Sequence, residues 1–230
     1  MRVVQVIPGV YQVSFRYANI TLIAGDALVL VDTGIAGSTR EIVRAVESLG
    51  RSVDEISLIV LTHNHLDHVG GLPGVRKLTG AKVAAHIADV TGHLPPDPPL
   101  IIAVAASALF RPIHKYIYVR PDDIDIRLTG GEEFPSCFGL QVIHTPGHTP
   151  GSISLYLPQK KLLIVGDALS KHGGHVDPPV ANVCWNLPLA MESVKKLVQL
   201  DFNTLCFGHG RPISGDARAM VQELVKSYEQ

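Results

Sequence analysis

The chain has 230 residues, 46% of them apolar, with 20 basic against 21 acidic side chains and a formal net charge of −1. That length suits one large α/β domain with its own core and leaves little room for a second. The near-cancelling charge offers no basic field to gather nucleic-acid phosphates or an anionic membrane surface, so a small-molecule substrate is expected. In chain order, "MRVVQVIPGVYQVSF" alternates like a strand from the start, without an apolar leader or a small-residue cleavage site. No apolar run reaches the ~18 residues that read as a membrane span, and a soluble, cytoplasmic protein is expected.

Strands are predicted at "VVQVI", "VYQVSF", "NITLIA" and "ALVLVD", separated by PG and GD turn signals. A helix follows over "STREIVRAVESLG", opened by the capping pair Ser38 and Glu41 and stopped at Gly50. The next run, "EISLIVLT", has no polar alternation and reads as a strand covered on both faces. At its C-terminal end lies "THNHLDHVGG", with three histidines and an aspartate in six positions. Neutral imidazole and carboxylate are ligands that Zn²⁺ and similar divalent ions prefer, so this cluster suggests a metal site on a loop at a strand end.

Further on, a helix is predicted over "GGLPGVRKLTG", strands at "AKVAAH", "LQVIHT", "ISLYLP", "KLLIVGD" and "TLCFGHG", and helices at "PLAMESVKKLVQL" and "GDARAMVQELVKSYEQ". Residues 91–123 break the alternation with a proline-rich start and an 11-residue apolar helix candidate, too short to cross a bilayer. Core helix, lid over the site and dimer surface all remain open for it. Cys137, Cys184 and Cys206 are odd in number and lack C-x-x-C spacing, which argues for buried apolar residues rather than disulfides or a thiolate metal site.

Three more metal-type residues stand at strand ends among small residues: His148 in "HTPGHTPGS", Asp167 in "IVGDAL" and His209 in "LCFGHG". His144 reads as structural or supporting. His172 and His175 read either as pocket lining or as a solvated Gly-rich loop. His86, His93 and His114 have no motif.

Taken in order, "VDTG", "THNHLDHVGG", "TPGHTPGS", "GDAL" and "GHG" resemble the metallo-β-lactamase fold superfamily, over about residues 20–213. The resemblance implies a four-layer αββα sandwich with the site at one edge between the sheets. It implies that His63, His65 and His148 hold a first metal, that Asp67, His68 and His209 hold a second, and that Asp167 bridges them. Two divalent ions are then the cofactors, Zn²⁺ foremost, with Fe and Mn compatible. Seven N and O donors suit two such ions, and a carboxylate can span the ~3.5–4 Å between them. Asp32 of "VDTG" would orient ligands through hydrogen bonds, against a plain reading as a strand-end turn residue.

The reaction expected from such a site is hydrolysis of an ester, thioester or lactone by a metal-bound hydroxide, with Asp67 as the catalytic residue orienting the nucleophile. Asp167 and the missing leader favour the glyoxalase II-like branch over true β-lactamases. Glyoxalase II enzymes add a helical glutathione-recognising domain, whereas only residues 211–230 follow "GHG". Ser170 stands where lactonases of this fold carry a tyrosine, no basic surface suggests a nuclease, and His65 differs from the acid of flavodiiron proteins. The alternative from another class is a mononuclear iron persulfide dioxygenase-like oxidoreductase, since His, His and Asp also suit Fe²⁺. A homodimer is left open.

Overall fold

The structure is a computed structural model that describes residues 1–15, 17–90 and 119–229. Most of the expected lid, with His93 and His114, therefore lies outside the described residues. The first sheet begins as an antiparallel meander of β1 (Arg2–Ile7), β2 (Val10–Ser14), β3 (Asn19–Ala24) and β4 (Leu28–Val31). It continues in parallel through β5 (Ile56–Val60), β6 (Lys82–His86) and β7 (Ile126–Leu128). Helices α1 (Thr39–Ser48), α2 (Leu66–Val69) and α3 (Leu72–Thr79) lie in the parallel crossovers, as parallel strands require long connections.

The second sheet is built from β8 (Glu133–Phe134), β9 (Leu140–His144), β10 (Ile153–Leu157) and β11 (Leu162–Ile164). A separate hairpin of β12 (Ser170–His172) and β13 (His175–Asp177) interrupts the chain before β14 (Thr204–Cys206) and β15 (Ile213–Ser214) complete the sheet in the order β15-β14-β11-β10-β9-β8. Helices α4 (Leu187–Leu197) and α5 (Ala217–Tyr228) follow the hairpin and the last strand respectively.

Three apolar clusters define four layers. Val29, Val31, Leu58 and Val60 of the first sheet meet Val142, Leu155 and Ile164 of the second. The opposite face of the first sheet, including Leu30 and Ile59, packs on Ile42 and Val46 of α1 and Val75 of α3. The outer face of the second, with Leu163 and Leu205, packs on Met191 and Val194 of α4 and Val221 of α5. β5 explains why its run is continuously apolar: its alternate side chains enter two different cores, the αββα arrangement read from the sequence.

Two local expectations differ. Ser38 makes no side-chain capping bond, because its backbone is already helical (φ −66°, ψ −13°) and its carbonyl accepts from the amides of Glu41 and Ile42. Only Cys206 is buried; Cys137 and Cys184 are half-buried, the latter donating its thiol to the Gly147 carbonyl at 3.0 Å. Among the described residues no helix is long and apolar enough to cross a membrane.

Candidate metal centre

The edge where the parallel strands end gathers the polar residues. Asp32 follows β4, His63 and His65 follow β5, His148 lies between β9 and β10, Asp167 follows β11 and His209 follows β14. β5 ends as the chain leaves the sheet, and His65 takes the extended N-cap position of α2 (φ −102°, ψ 151°). That single turn carries Asp67 and His68 inward. The loops meet closely: a Cβ on Gly208 would run into Asp167 Oδ1 and His68, so the backbone after β14 reaches the cluster only with glycine there.

All seven expected site residues come together. His63, His65 and His148 bring one donor atom each within 4.8 Å of one another, as do His63, His68 and Asp167, and Asp67, His68 and His209. Asp167 is central, with its carboxylate 3.9 Å from His63 Nε2, 3.4 Å from His68 Nε2, 3.6 Å from His148 Nε2 and 3.2 Å from His209 Nε2. His209 Nε2 is also 3.3 Å from Asp67 Oδ2.

Two electrostatic groups divide the cluster. Burial, followed by the neighbouring rings, holds His63 well below the ordinary imidazole value and His65 at about 4, and burial lowers His148 as well. These three are neutral imidazoles near pH 7, the form that ligates a metal. Burial also opposes the charge on His68 and His209, but the carboxylates outweigh it. Asp167 and Asp32 push His68 up to about 9, and hydrogen bonds with Asp167 and Asp67 push His209 up to about 10. In return, against the burial that opposes their ionisation, His68 holds Asp167 well below the carboxylate range and His209 lowers Asp67.

His63 Nε2, His68 Nε2, His148 Nδ1 and Asp167 Oδ1 are buried without a hydrogen-bond partner. Orphaned donors and acceptors at such density are costly, and a divalent cation held by N and O ligands would satisfy those that face one another, on His63, His68 and Asp167. The donor set therefore fits a metal ion.

Asp32, at φ 62°, reaches into this cluster from beneath. Its Oδ1 accepts from the Thr62 amide at 2.8 Å, and its Oδ2 accepts from Thr62 Oγ1 and lies 2.8 Å from His68 Nδ1. A carboxylate can only accept, so His68 donates through Nδ1 and turns Nε2 toward Asp67 and Asp167. The same hydroxyl of Thr62 lies 3.0 Å from His63 Nδ1.

Other histidines stand apart. His144 stacks on His86 with ring centroids 4.0 Å apart, and its Nε2 contacts the Pro150 carbonyl at 3.0 Å. His172 and His175 are exposed on the β12–β13 hairpin, so neither joins the cluster.

No motif in the sequence marks Asp89 or Asn64. Asp89 accepts from the Asn64 amide at 3.0 Å, from Thr149 Oγ1 at 2.7 Å and from the Gly151 amide. It thereby ties the loop of His63 and His65 to the loop of His148. Asn64 donates its Nδ2 to the carbonyls of Asp89 and Val119, and its Oδ1 accepts from the Val119 amide. The sequence signal was slight: an acid just past "AKVAAH", and the one uncharged polar residue inside "HNHLDH".

The family model described as the metallo-beta-lactamase superfamily matches residues 13–209. The Bacillus subtilis protein YobT is 32% identical over 211 residues, covering 88% of this chain and 86% of its own. A hydroxyacylglutathione hydrolase from Cereibacter sphaeroides is 32% identical over 182 residues, covering 78% of this chain but only 56% of the relative. Among solved structures, a metallo-beta-lactamase family protein from Thermus thermophilus matches with a TM-score of 0.72 at 25% identity, over 98% of this chain and 81% of that one.

Proposed function

The chain belongs to the metallo-beta-lactamase superfamily, and from that membership we propose that it is a metal-dependent hydrolase of a small-molecule ester, thioester or lactone. In this reading His63, His65 and His148 hold one divalent ion, Asp67, His68 and His209 hold a second, and Asp167 serves both, with Zn²⁺ the first choice of metal and Fe or Mn compatible. The observation that carries the reading is Asp167 lying within 4 Å of four imidazoles. When bound, such ions polarise a carbonyl oxygen and lower the pKa of water enough to supply a nucleophile near neutral pH.

The chain's own residues do the positioning. The Asp67 side chain retains 34% exposure, against 13% for Asp167, so its carboxylate faces arriving water and substrate. It accepts a hydrogen bond from the attacking water and sets its approach to the carbonyl carbon. The acyl C–O or C–S bond breaks, water supplies the new C–OH, and the alcohol or thiol leaves with a proton. Asp32 keeps His68 in one tautomer throughout. Similarity to the hydroxyacylglutathione hydrolase supports the reaction class.

The test is metal content and steady-state turnover of His63→Ala, Asp167→Ala, His209→Ala and Asp67→Asn. The first three are expected to lose metal. Asp67→Asn is expected to keep the fold and lose kcat far more than it raises KM. Two metals per chain in all of the first three variants would overturn the ligand assignment.

A further inference from the structure

A groove of about 540 Å³ opens beside His209, between the β2–β3 turn and the loop after β14. It falls within the size range of small-ligand sites, ~300–1,000 Å³. Asn19, Gly208 and Gly210 form part of its lining, Phe15 and Tyr17 add aromatic surface, and Arg2 and Arg211 contribute cationic groups. None of the lining residues is acidic, and among the described residues neither arginine makes an ion pair. A chain of net charge −1 has no general excess of cations, so two arginines on one groove are a local feature.

Their backbone is fixed. Arg2 sits in β1 with its Cα paired to Ser14 of β2. The loop carrying Arg211 is bound to the first sheet from several sides. Gly210 O accepts from Gln12 Nε2 at 2.9 Å and from Asn19 Nδ2 at 2.7 Å, while the Asn19 amide donates to Gly208 O at 2.8 Å. Asn19 Nδ2 also donates to Phe207 O at 3.0 Å. One binding wall is thus pre-formed, and among the described residues neither arginine fork is held by an ion pair.

We propose that this groove recognises an anionic oxyacid group, carboxylate or phosphate, on the substrate through Arg2 and Arg211, while the scissile acyl group lies at the His209 end. The inference rests on the hydrolase reading for the second half of that statement. Guanidinium forks bind both oxyacids in bidentate fashion, and the aromatic pair covers the apolar chain that joins acid to ester. Both arginines are exposed, within reach of a ligand arriving from solvent.

Three 4-nitrophenyl esters with the same six-atom chain test this, ending in a carboxylate, a phosphate or a carboxamide. The wild type is expected to favour at least one anionic ester over the carboxamide by about tenfold in kcat/KM, mostly through KM, with the ratio falling as salt rises. In Arg2→Gln and Arg211→Gln the ratio should approach one, while Arg44→Gln on α1, away from the groove, keeps it. Equal use of anionic and neutral esters by the wild type overturns the proposal, as does a ratio unchanged in both groove variants. If no ester turns over, the hydrolase reading is decided separately on thioesters and lactones. Adipate and inorganic phosphate titrated against the same protein, read at the amide signals of Asn19 and Gly210, then decide the groove: saturable binding weakened in Arg211→Gln supports it, and no binding overturns it.

Discussion

Asp32 Oδ2 and His68 Nδ1 lie 2.8 Å apart with both side chains buried, so a strand-end carboxylate determines which nitrogen His68 presents to the metal cluster. Asn at position 32 tolerates the positive φ and keeps the shape but loses the charged acceptor. Asp32→Asn is expected to weaken metal binding about 10–100-fold, measured by competition with a chromogenic chelator. Unchanged affinity would mean that the contact does not tune the ligand.

Removal of Asp89 should loosen two ligand loops at once. In Asp89→Ala the amides of Asn64 and Gly151 and the hydroxyl of Thr149 lose their shared acceptor, a loss of roughly 2–4 kcal/mol. Urea unfolding should show it as a lower midpoint at unchanged m-value. Gly151→Ala should reproduce part of the effect, since its Cβ would come within 2.7 Å of the Asp89 carboxylate.

Metal removal should destabilise the fold, because the orphaned nitrogens and oxygens of the cluster lose their partner. At a metal concentration ~1,000 times Kd the lost stabilisation is about 4 kcal/mol, which for a chain of this size is on the order of 10 °C in Tm. Calorimetry before and after chelation, with recovery on adding Zn²⁺, measures it. An unaltered Tm would argue against metal at these residues.

The cysteines offer a check on packing. Burial pushes the Cys206 thiol up to about 12 and raises Cys137 and Cys184 as well. Near pH 8 Cys206 is therefore protonated and shielded, and reaction with an alkylating reagent grows as pH rises. Mass spectrometry is expected to find Cys137 and Cys184 slowly modified in the folded protein and Cys206 modified only after unfolding.

The layers and most of the site were legible because each rested on a local signal. β5 is apolar at every buried position, α1 repeats Ile42, Val46 and Leu49 at helical spacing, and the ligands crowd into short motifs at strand ends. β7 and β8 leave no signal because, unlike the equally short and fully buried β11 and β14, they interrupt few apolar residues with the charged Arg127 and Glu133. The β12–β13 hairpin does not show as strands in the sequence, although Gly173 and Gly174, at φ 55° and 98°, supply a two-residue turn. Its flanks are polar, so alternation could not reveal it. Asp89 is invisible for a different reason: the pairing of β5 with β6 brings Asn64 to it, and the packing of the two sheets brings Thr149 and Gly151.

Hydrolysis at this metal cluster, as opposed to oxygen chemistry, is separated most cleanly by working without oxygen. The decisive measurement is anaerobic turnover of an ester and thioester panel by protein of known metal content, with wild type and Asp67→Asn side by side. Hydrolysis is expected to proceed fully without oxygen in the wild type and to disappear in Asp67→Asn. Oxygen consumption with glutathione persulfide by an iron-loaded wild type, little changed in Asp67→Asn and unaccompanied by anaerobic hydrolysis, would contradict it.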